Sequence, residues 1–361
     1  MAESSGTNAF YASRPVLLLD GNERADFAQG LLSLSVHEDT NGLYRCEATF
    51  GNWGISQGEP GFLYFDRRVV DFGTGLSVRM GDRDAEGLIF EGRVMAFEGR
   101  YPYQSPPEIL LLAEDRFQDL RMTRRSRHFE DVTVNDVIGA IAEDHGLQTE
   151  IDLESPNYRM LAQLNQSDLA FLRDCARAVD AEVWMVGNVL HAQSRNRRGE
   201  QALQLEYGKR LKEFSVLADL AQQCSAVVVS GWDAAAKEAL EHRAEADALG
   251  SELGSDTAGG SLLTQLFGER VERRVHHVPQ SARETQTLAE AHYRQAARRF
   301  LSGRGMADGD ARLRVGNAVQ LDGLGPLFSG VYYICEVVHS FDLTFGYRTY
   351  FNVEKPGLGG I

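Results

Sequence analysis

The sequence predicts a mainly β protein with an α+β insert, and three observations lead to this fold class. Short apolar segments recur at spacings of about ten residues near both ends of the chain, as in barrels and sandwiches. Glycine is abundant, with 36 residues in 361, and this favours many turns and bulges. Helical periodicity is concentrated between the two β-rich parts.

The first β-rich part covers residues 13–117 and follows a flexible N-terminal segment, residues 1–12. Its predicted strands are bounded by Gly, Asp and Asn residues, and they are Val16–Leu19, Leu31–Val36, Arg45–Phe50, Leu76–Met80, Leu88–Phe97 and Ile109–Ala113. Strands of this length and spacing predict a barrel or a sandwich.

A small α+β domain is predicted at residues 118–202. The segment Thr133–Gly146 has a capping-box signature and an apolar helical face. Asn165 or Ser167 opens a second helix. The dipeptide Gly187-Asn188 separates two alternating segments and predicts a hairpin.

The β character returns at residues 203–353, the second barrel-like part. An Ala- and Glu-rich stretch at 233–262 interrupts it and is interpreted as a short helix plus a mobile loop, 238–262, with no core of its own. An amphipathic helix at 281–302 follows. Gly303 is interpreted as the end of that helix. The remaining residues, 354–361, form a C-terminal tail.

The two β-rich parts contain a weak internal repeat. Phe90-x-Gly92 and Phe328-x-Gly330 each follow a short alternating strand and precede a returning strand. This ordered set predicts a duplication of one β unit.

Composition excludes several classes of protein. No apolar run approaches the ~18–20 residues of a membrane span, and Met1–Gly6 lacks the features of a signal peptide. The four cysteines are scattered, and 52 acidic against 37 basic residues give a net charge of −15, which disfavours dedicated nucleic-acid binding. We therefore expect synthesis in the cytoplasm, no membrane insertion and no specific nucleic-acid binding.

Candidate chemical residues favour structural roles. Gly303–Gly309 lacks the Lys-Ser/Thr of a phosphate loop, and His276-His277 would point to opposite faces of a strand. His191 and His339 lie in predicted strands as structural histidines, and Cys175 lies on an apolar helix face. The sequence thus predicts no catalytic, cofactor-binding or metal site, and no enzyme.

One basic cluster stands out. It consists of Arg121, Arg124, Arg125, Arg127 and His128, beside Arg195, Arg197 and Arg198. It is either an anion- or partner-binding strip or, as we favour, a solvated hinge between barrel and module. No aromatic residues interleave with it, as a nucleic-acid stacking platform would require.

The order of several segments carries a family resemblance. These segments are Asn165–Leu172, Ala181–Trp184, Val229–Asp233, Phe300–Gly303, Gly316–Leu321, Phe328–Ile334 and Gly346–Thr349. In this order they resemble the phage late control protein D family, which includes tail hubs and the hub portion of VgrG spikes. The resemblance covers roughly residues 12–353.

The resemblance implies a structural baseplate hub of a contractile injection system. Members of the family have two related β-barrel domains per chain with a small α/β domain alongside. Three chains then form a pseudo-hexameric ring that contacts a hexameric inner-tube protein, a spike and other baseplate proteins.

The end of the sequence departs from the VgrG pattern. After Val353 only residues 354–361 remain, so the OB domain and β-helix of that spike are absent. We therefore expect a spike supplied by a separate chain, in a phage tail or a phage tail-like particle, including particles released outside the cell.

Two other classes of protein compete with the hub. A cell-wall or polysaccharide hydrolase of a tail would need converging Glu and Asp residues in a cleft. A carbohydrate-binding β module would need exposed aromatic strips, and Trp53, Trp184 and Trp232 are too scattered in sequence to predict one.

Overall fold

The structure is a computed structural model. It describes residues 14–56, 58–81, 86–199, 202–275 and 278–359. Strands account for 49% of it and helices for 21%, which confirms the mainly β prediction. None of the helices in these ranges is long and apolar enough to cross a bilayer. The predicted flexible segment, residues 1–12, lies outside the described residues.

The first β region contains all the strands predicted for it. Its strands are β1 Val16–Leu19, β2 Asn22–Glu23, β3 Leu31–Asp39, β4 Arg45–Gly51, β5 Trp53–Ser56, β6 Glu59–Phe62, β7 Gly75–Met80, β8 Gly87–Arg100 and β9 Glu108–Glu114. Helix α1 spans Ala25–Gln29 and α2 spans Phe117–Arg121. Alternate residues of the strands enter one core that includes Leu17, Val36 and Leu111.

The α+β module has the predicted helices and hairpin. Its elements are β10 Arg124–Val132, α3 Val134–Asp144, β11 Gln148–Asp152, β12 Tyr158–Ser167, α4 Asp168–Ala178, β13 Ala181–Val186 and β14 Val189–Ser194. Thr133 and Asp136 form the capping box of α3. Ser167, rather than Asn165, caps α4. Val186 pairs with Val189 across the two-residue turn.

The second β region is larger than the first. Its elements are β15 Leu203–Glu206, β16 Leu211–Ala218, β17 Ala226–Asp233, β18 Glu238–Ala244, β19 Thr257–Ala258, α5 Gly259–Phe267, β20 Val271–Arg274, α6 Ala282–Ala297, β21 Leu301–Asp308, β22 Ala318–Asp322, α7 Gly325–Phe328, β23 Gly330–Asp342, β24 Gly346–Lys355 and β25 Gly357–Leu358. Strands β18, β17 and β20 form a separate small sheet inside this region.

The expectation of a mobile loop without a core at 238–262 was wrong. This segment forms β18, a 3₁₀ segment at Ala246–Glu252, β19 and the start of α5. Leu249 and Ala258 are buried against Tyr293 of α6. The core arises because α6 and β17 supply the opposite wall, and this contact is invisible in the local periodicity of the segment.

The predicted end of the helix at 281–302 was also wrong. Helix α6 ends at Ala297, and Leu301 begins β21. Gly303 and Gly305 lie inside this strand, where a Cβ on Gly305 would lie 2.5 Å from a ring carbon of Phe351 and one on Gly303 2.6 Å from a ring carbon of Phe214. These glycines make room for aromatic rings rather than terminating a helix.

The predicted C-terminal tail is part of the fold where it is described. Strand β24 continues to Lys355, whose Nζ lies 2.7 Å from Asp256. Strand β25 pairs with β19, with Gly357 opposite Ala258. Residues 360–361 lie outside the described residues.

The two β regions share one order of strand pairing. Strands β3, β4, β9, β8 and β7 lie side by side in the first region, and β16, β21, β24, β23 and β22 do so in the second. The bulges also correspond: the β3–β4 register shifts between Leu31 and Ser33 and the β16–β21 register between Leu211 and Glu213. Similar shifts occur in β8–β9 and β23–β24.

These registers correct the sequence motif that suggested the repeat. The bulges align Val94 of β8 with Ile334 of β23. In this alignment of the two regions, Phe90 corresponds to Gly330 rather than to Phe328. The two Phe-x-Gly motifs are therefore shifted by two residues relative to each other. One strand differs as well, because β1 is antiparallel to β7 whereas β15 is parallel to β22.

One strand pair in the described residues, the junction, joins the two regions into a common sheet. Strand β23 pairs antiparallel with β3, from Glu336 opposite Asp39 to Asp342 opposite Ser33. The parts expected as two separate barrels therefore share one 13-stranded sheet.

A histidine without charge lies in this junction. His339 is fully buried opposite Val36, and its Nδ1 lies 2.9 Å from the hydroxyl of Tyr347. Burial lowers the pKa of His339 from 6.5 to about 3, and the charge of Arg314 acts in the same direction.

We expect acid to destabilise the chain through His339. The unfolded imidazole binds a proton near a pKa of 6.5 and the folded one only near 3, so the unfolded state binds more protons between these values. The contribution of His339 to the free energy of unfolding is fully present above a pH of 6.5. It falls by up to about 1.4 kcal/mol per pH unit as the pH decreases from 6.5 to about 3. His339→Leu should remove this slope in urea unfolding measured across the window.

The matched control is His37→Leu. His37 is half-buried on the opposite face of the same strand pair, opposite Val338. This variant should keep the acid slope of the unaltered chain. An unchanged slope in His339→Leu would contradict the assignment.

Candidate functional site

A cleft of about 540 Å³ lies between the module and the two β regions. Glu38 on its wall is 1% exposed and meets two partners. The Nε of Arg314 lies 2.5 Å from Oε1, and the backbone N–H of Val315 donates to Oε2 at 3.2 Å. Burial raises the pKa of Glu38, and Arg314 opposes this shift. The carboxylate is thus held by structural partners.

A second cleft, of about 610 Å³, lies beside β18 and α6. Each of three carboxylates on its wall pairs with an arginine. The pairs are Glu154 with Arg197 at 2.8 Å, Glu241 with Arg273 at 3.3 Å and Glu290 with Arg294 at 2.9 Å. The described residues contain no cluster of His, Cys, Asp and Glu suited to a metal ion, and His276-His277 lie outside them.

A buried arginine network docks the module onto the second β region. Arg198 donates to Glu182 at 2.6 Å and Arg195 to Glu354 at 2.6 Å. The hydroxyl of Tyr333 in β23 donates to the same Glu182 at 2.5 Å. The guanidinium groups also lie over rings, Arg198 over Trp184 at 3.9 Å and Arg195 over Tyr333 at 4.1 Å.

Arg298 extends this network from α6. Its side chain is 2% exposed, and it donates to Asp180 of the module at 2.7 Å and to Glu252 at 2.7 Å. One guanidinium group therefore holds together the helix, the module and the 3₁₀ segment. A planar fork with two carboxylate partners suits this role.

The basic cluster at the start of the module is neutralised by carboxylates of the same chain. Arg121 pairs with Glu114. Arg125 and Arg127 pair with Asp144, and Arg127 also donates to Asp168 at 3.0 Å. Although burial opposes ionisation, hydrogen bonds from His145 and Gln163 and the nearby arginines hold the pKa of Asp168 below its usual value. These charges belong to an internal ion network more than to a free anion-binding strip.

Two further candidates from the sequence occupy structural positions. His191 stacks on Trp184 with ring centroids 5.2 Å apart, and its Nδ1 lies 3.2 Å from Glu150. Cys175 is buried in the module core, and this burial raises the pKa of its thiol to about 12. A thiol that stays protonated is a poor nucleophile.

Strand β16 and the C-terminal part of β8 each have an unpaired edge in the described part of the chain. Strand β16 pairs with β21 on one side, and no strand covers its other side. Residues 96–100 of β8 pair with β9 alone. Leu217 on β16 is 60% exposed, and Tyr101 directly after β8 is 67% exposed. Open edges of this kind are templates for pairing with another strand.

Exposed aromatic residues cluster beside the open part of β8. Trp53 packs on Phe62 at 5.3 Å, Phe62 on Phe65 at 5.0 Å and Phe65 lies 6.1 Å from Tyr101. The scattered tryptophans of the sequence gave no sign of this cluster, because Trp53 is its one tryptophan and the other three rings are Phe62, Phe65 and Tyr101. The rings pack against one another, which differs from an open strip for sugar stacking.

The chain was compared with family models, curated proteins and solved structures. A family model described as the Alg8 N-terminal domain matches residues 16–342. The chain belongs to the Alg8 N-terminal domain family. A search of curated proteins finds no relative of the sequence.

Solved structures similar to this chain include two that are described as tail proteins. The 43 kDa tail protein of prophage MuSo2 from Shewanella oneidensis has a TM-score of 0.67 at 12% identity, covering 95% of this chain and 98% of its own. A tail protein from Neisseria meningitidis also has a TM-score of 0.67, at 11% identity and with 96% and 97% covered.

A component of the Escherichia coli type VI secretion system has a TM-score of 0.57 at 12% identity, with 96% of this chain and 79% of its own covered. At identities this low, the TM-scores show a shared fold alone, so this chain has a tail-protein-like fold.

Sequence reasoning missed the principal residues that dock the module in this chain. Arg298 lies 118 residues from Asp180 and 46 from Glu252. An arginine near the end of an amphipathic helix gives no local signal of burial. The sequence offered one hint, the arginines at Arg195–Arg198. We interpreted them as part of either an anion- or partner-binding strip or, as we favoured, a solvated hinge.

We expect Arg298→Ala to destabilise this chain strongly. The substitution leaves Asp180 and Glu252 without the cation they share, and breaking a buried pair in this way costs roughly 3–5 kcal/mol. Urea unfolding of the purified chain measures the loss.

Arg299→Ala is the control for this variant. Arg299 is exposed, and its Nε donates to the carbonyl of Gln295 on the same helix. Its removal should change stability by less than about 1 kcal/mol. Equal losses in the two variants would mean that the buried network has no special role.

Proposed function

We propose that the chain is the structural baseplate hub of a contractile injection system. In this proposal, three copies form a ring that connects a hexameric inner tube to a trimeric spike supplied by a separate chain. The proposal includes the finer resemblance to the late control protein D family, a non-enzymatic role and further baseplate proteins as partners in a phage tail-like particle.

The repeated strand order is the observation that carries the proposal. Two regions with the same pairing order and corresponding bulges are two copies of one structural unit. Three chains with two such units would present six similar units around one axis. A ring of this kind can match a threefold spike on one face and a sixfold tube on the other.

The fold comparisons support the same class of assembly. The similar structures are described as phage tail proteins and as a component of a type VI secretion system with similarity to T4 tail proteins gp27 and gp5. One chain of a Francisella complex that contains VgrG is also similar, with a TM-score of 0.53 at 9% identity and with 94% of this chain and 57% of its own covered. These descriptions apply to those proteins, and they make a tail-like particle the natural setting for this chain.

Electron cryomicroscopy of particles that contain this chain tests the proposal. We expect three copies around the tube axis, adjacent to the last ring of the inner tube and above the spike. Another copy number, or a position away from the axis, would contradict the hub role.

A separate measurement tests the non-enzymatic part of the proposal. We expect the purified chain to release no soluble fragments from peptidoglycan, because Glu38 in the first cleft and Glu154, Glu241 and Glu290 in the second pair with arginines. Lysozyme serves as the positive control. Fragment release that survives further purification would favour the hydrolase instead.

A further inference from the structure

The junction between the two β regions provides a template for a second contact. In it, β3 of the first region pairs with the C-terminal half of β23 in the second. The strand that corresponds to β3 in the second region is β16, and the strand that corresponds to β23 in the first region is β8. Both of these corresponding edges are open in the described residues.

The bulges transfer the register of the junction residue by residue. Leu31 of β3 corresponds to Leu211 of β16, since each precedes the bulge of its strand. Val94 of β8 corresponds to Ile334 of β23 in the same way. The observed pair Val36 and His339 therefore corresponds to Val216 and Gly99. The neighbouring pair His37 and Val338 corresponds to Leu217 and Glu98.

We infer that β16 of one copy of the chain pairs antiparallel with residues 97–101 of a second copy, in this transferred register. The inference rests on the proposed function, since it supplies the contact between neighbouring copies in the ring. The contact uses two different surfaces, so it is heterologous and propagates around an axis.

The side chains at these positions fit the transferred register. On the core-facing side, Phe214 meets Tyr101 as Leu34 meets Phe341 in the observed junction. Next along the strand, Val216 meets Gly99, where the absence of a side chain leaves space for the neighbouring rings. The small Ala218 then meets the larger Phe97.

The end of the paired segment is also explained. Pro102 would lie opposite Glu213, and proline has no N–H to donate to a neighbouring strand. The pairing therefore stops after Tyr101. Its formation would cover Leu217 and Tyr101, which are 60% and 67% exposed in the single chain, together with part of the aromatic cluster on the β5–β6 hairpin.

Disulfide trapping tests the register in the purified full-length chain. The variant Leu217→Cys with Glu98→Cys places two thiols directly opposite each other across the contact. Opposite Cα atoms in antiparallel strands lie about 4.5–5.5 Å apart, within the range that a disulfide spans. Oxidation of the concentrated chain traps even a transient contact, so a stable ring in solution is not required.

The control pairs Leu217→Cys with Arg100→Cys. This shift of two residues keeps the thiol on the same face but moves it by about 7 Å along the strand, beyond disulfide reach. All the substituted side chains are exposed, so both variants should melt like the unaltered chain. The native cysteines, three buried and one half-buried, are the same in both.

We expect non-reducing electrophoresis to show cross-linked dimers and trimers for the matched pair, at least about ten times more than for the shifted pair. Equal cross-linking of both pairs, or none of either, would overturn the inference.

The results also separate the inference from the proposed function. Matched cross-links that extend beyond trimers would support the register but contradict a three-chain ring. An axial three-copy ring in particles, without the matched cross-link, would leave the hub standing and remove this contact.

Discussion

The pairing of β3 with β23 is the constraint on which the rest of the structure depends. These strands are far apart in sequence, and their contact converts two separate β regions into one sheet. It also buries Glu38 and His339, two groups that prefer water, close to Arg314 and Tyr347. Such a contact is slow to find and costly in chain entropy. Once it is formed, it fixes where every other edge of the sheet lies.

Charge inside the molecule has a different role from its acidic surface. The chain has a net charge of −15, yet Arg195, Arg198 and Arg298 are buried, each with carboxylate partners. Buried ion pairs add little net stability, because desolvation offsets most of the attraction. Their effect here is geometric, since the carboxylates find their partners only when the module and α6 dock in one orientation. The network therefore positions the module more than it strengthens the chain.

Elements with local signals were predictable, and elements defined by distant contacts were not. The capping box at Thr133 and the turn at Gly187-Asn188 are written within a few residues, and both are confirmed. Gly303 was read as a helix end because the rings that pack on it and on Gly305 come from Phe214 and Phe351, distant in sequence. The Phe-x-Gly motif predicted the repeat but aligned it in the wrong register. The correct alignment depends on how strands pair, and the sequence of a single strand does not show its pairing. The arginine network was not predicted for the same reason, since its partners are distant in sequence.

In the proposed hub, the single-copy parts of the chain would let a repeated unit match two symmetries. The strands of the shared pairing order occur twice, whereas the module and the segment between β16 and β21 occur once. In the first region the corresponding connection, between β3 and β4, is a short turn. In a ring of three such chains, the repeated strands would therefore follow approximate sixfold symmetry, whereas the insertions would follow threefold symmetry. Because the insertions attach through connections rather than the edges of the repeated strands, they can diverge without disturbing that pairing, so in the proposed ring one polypeptide could face a sixfold and a threefold partner.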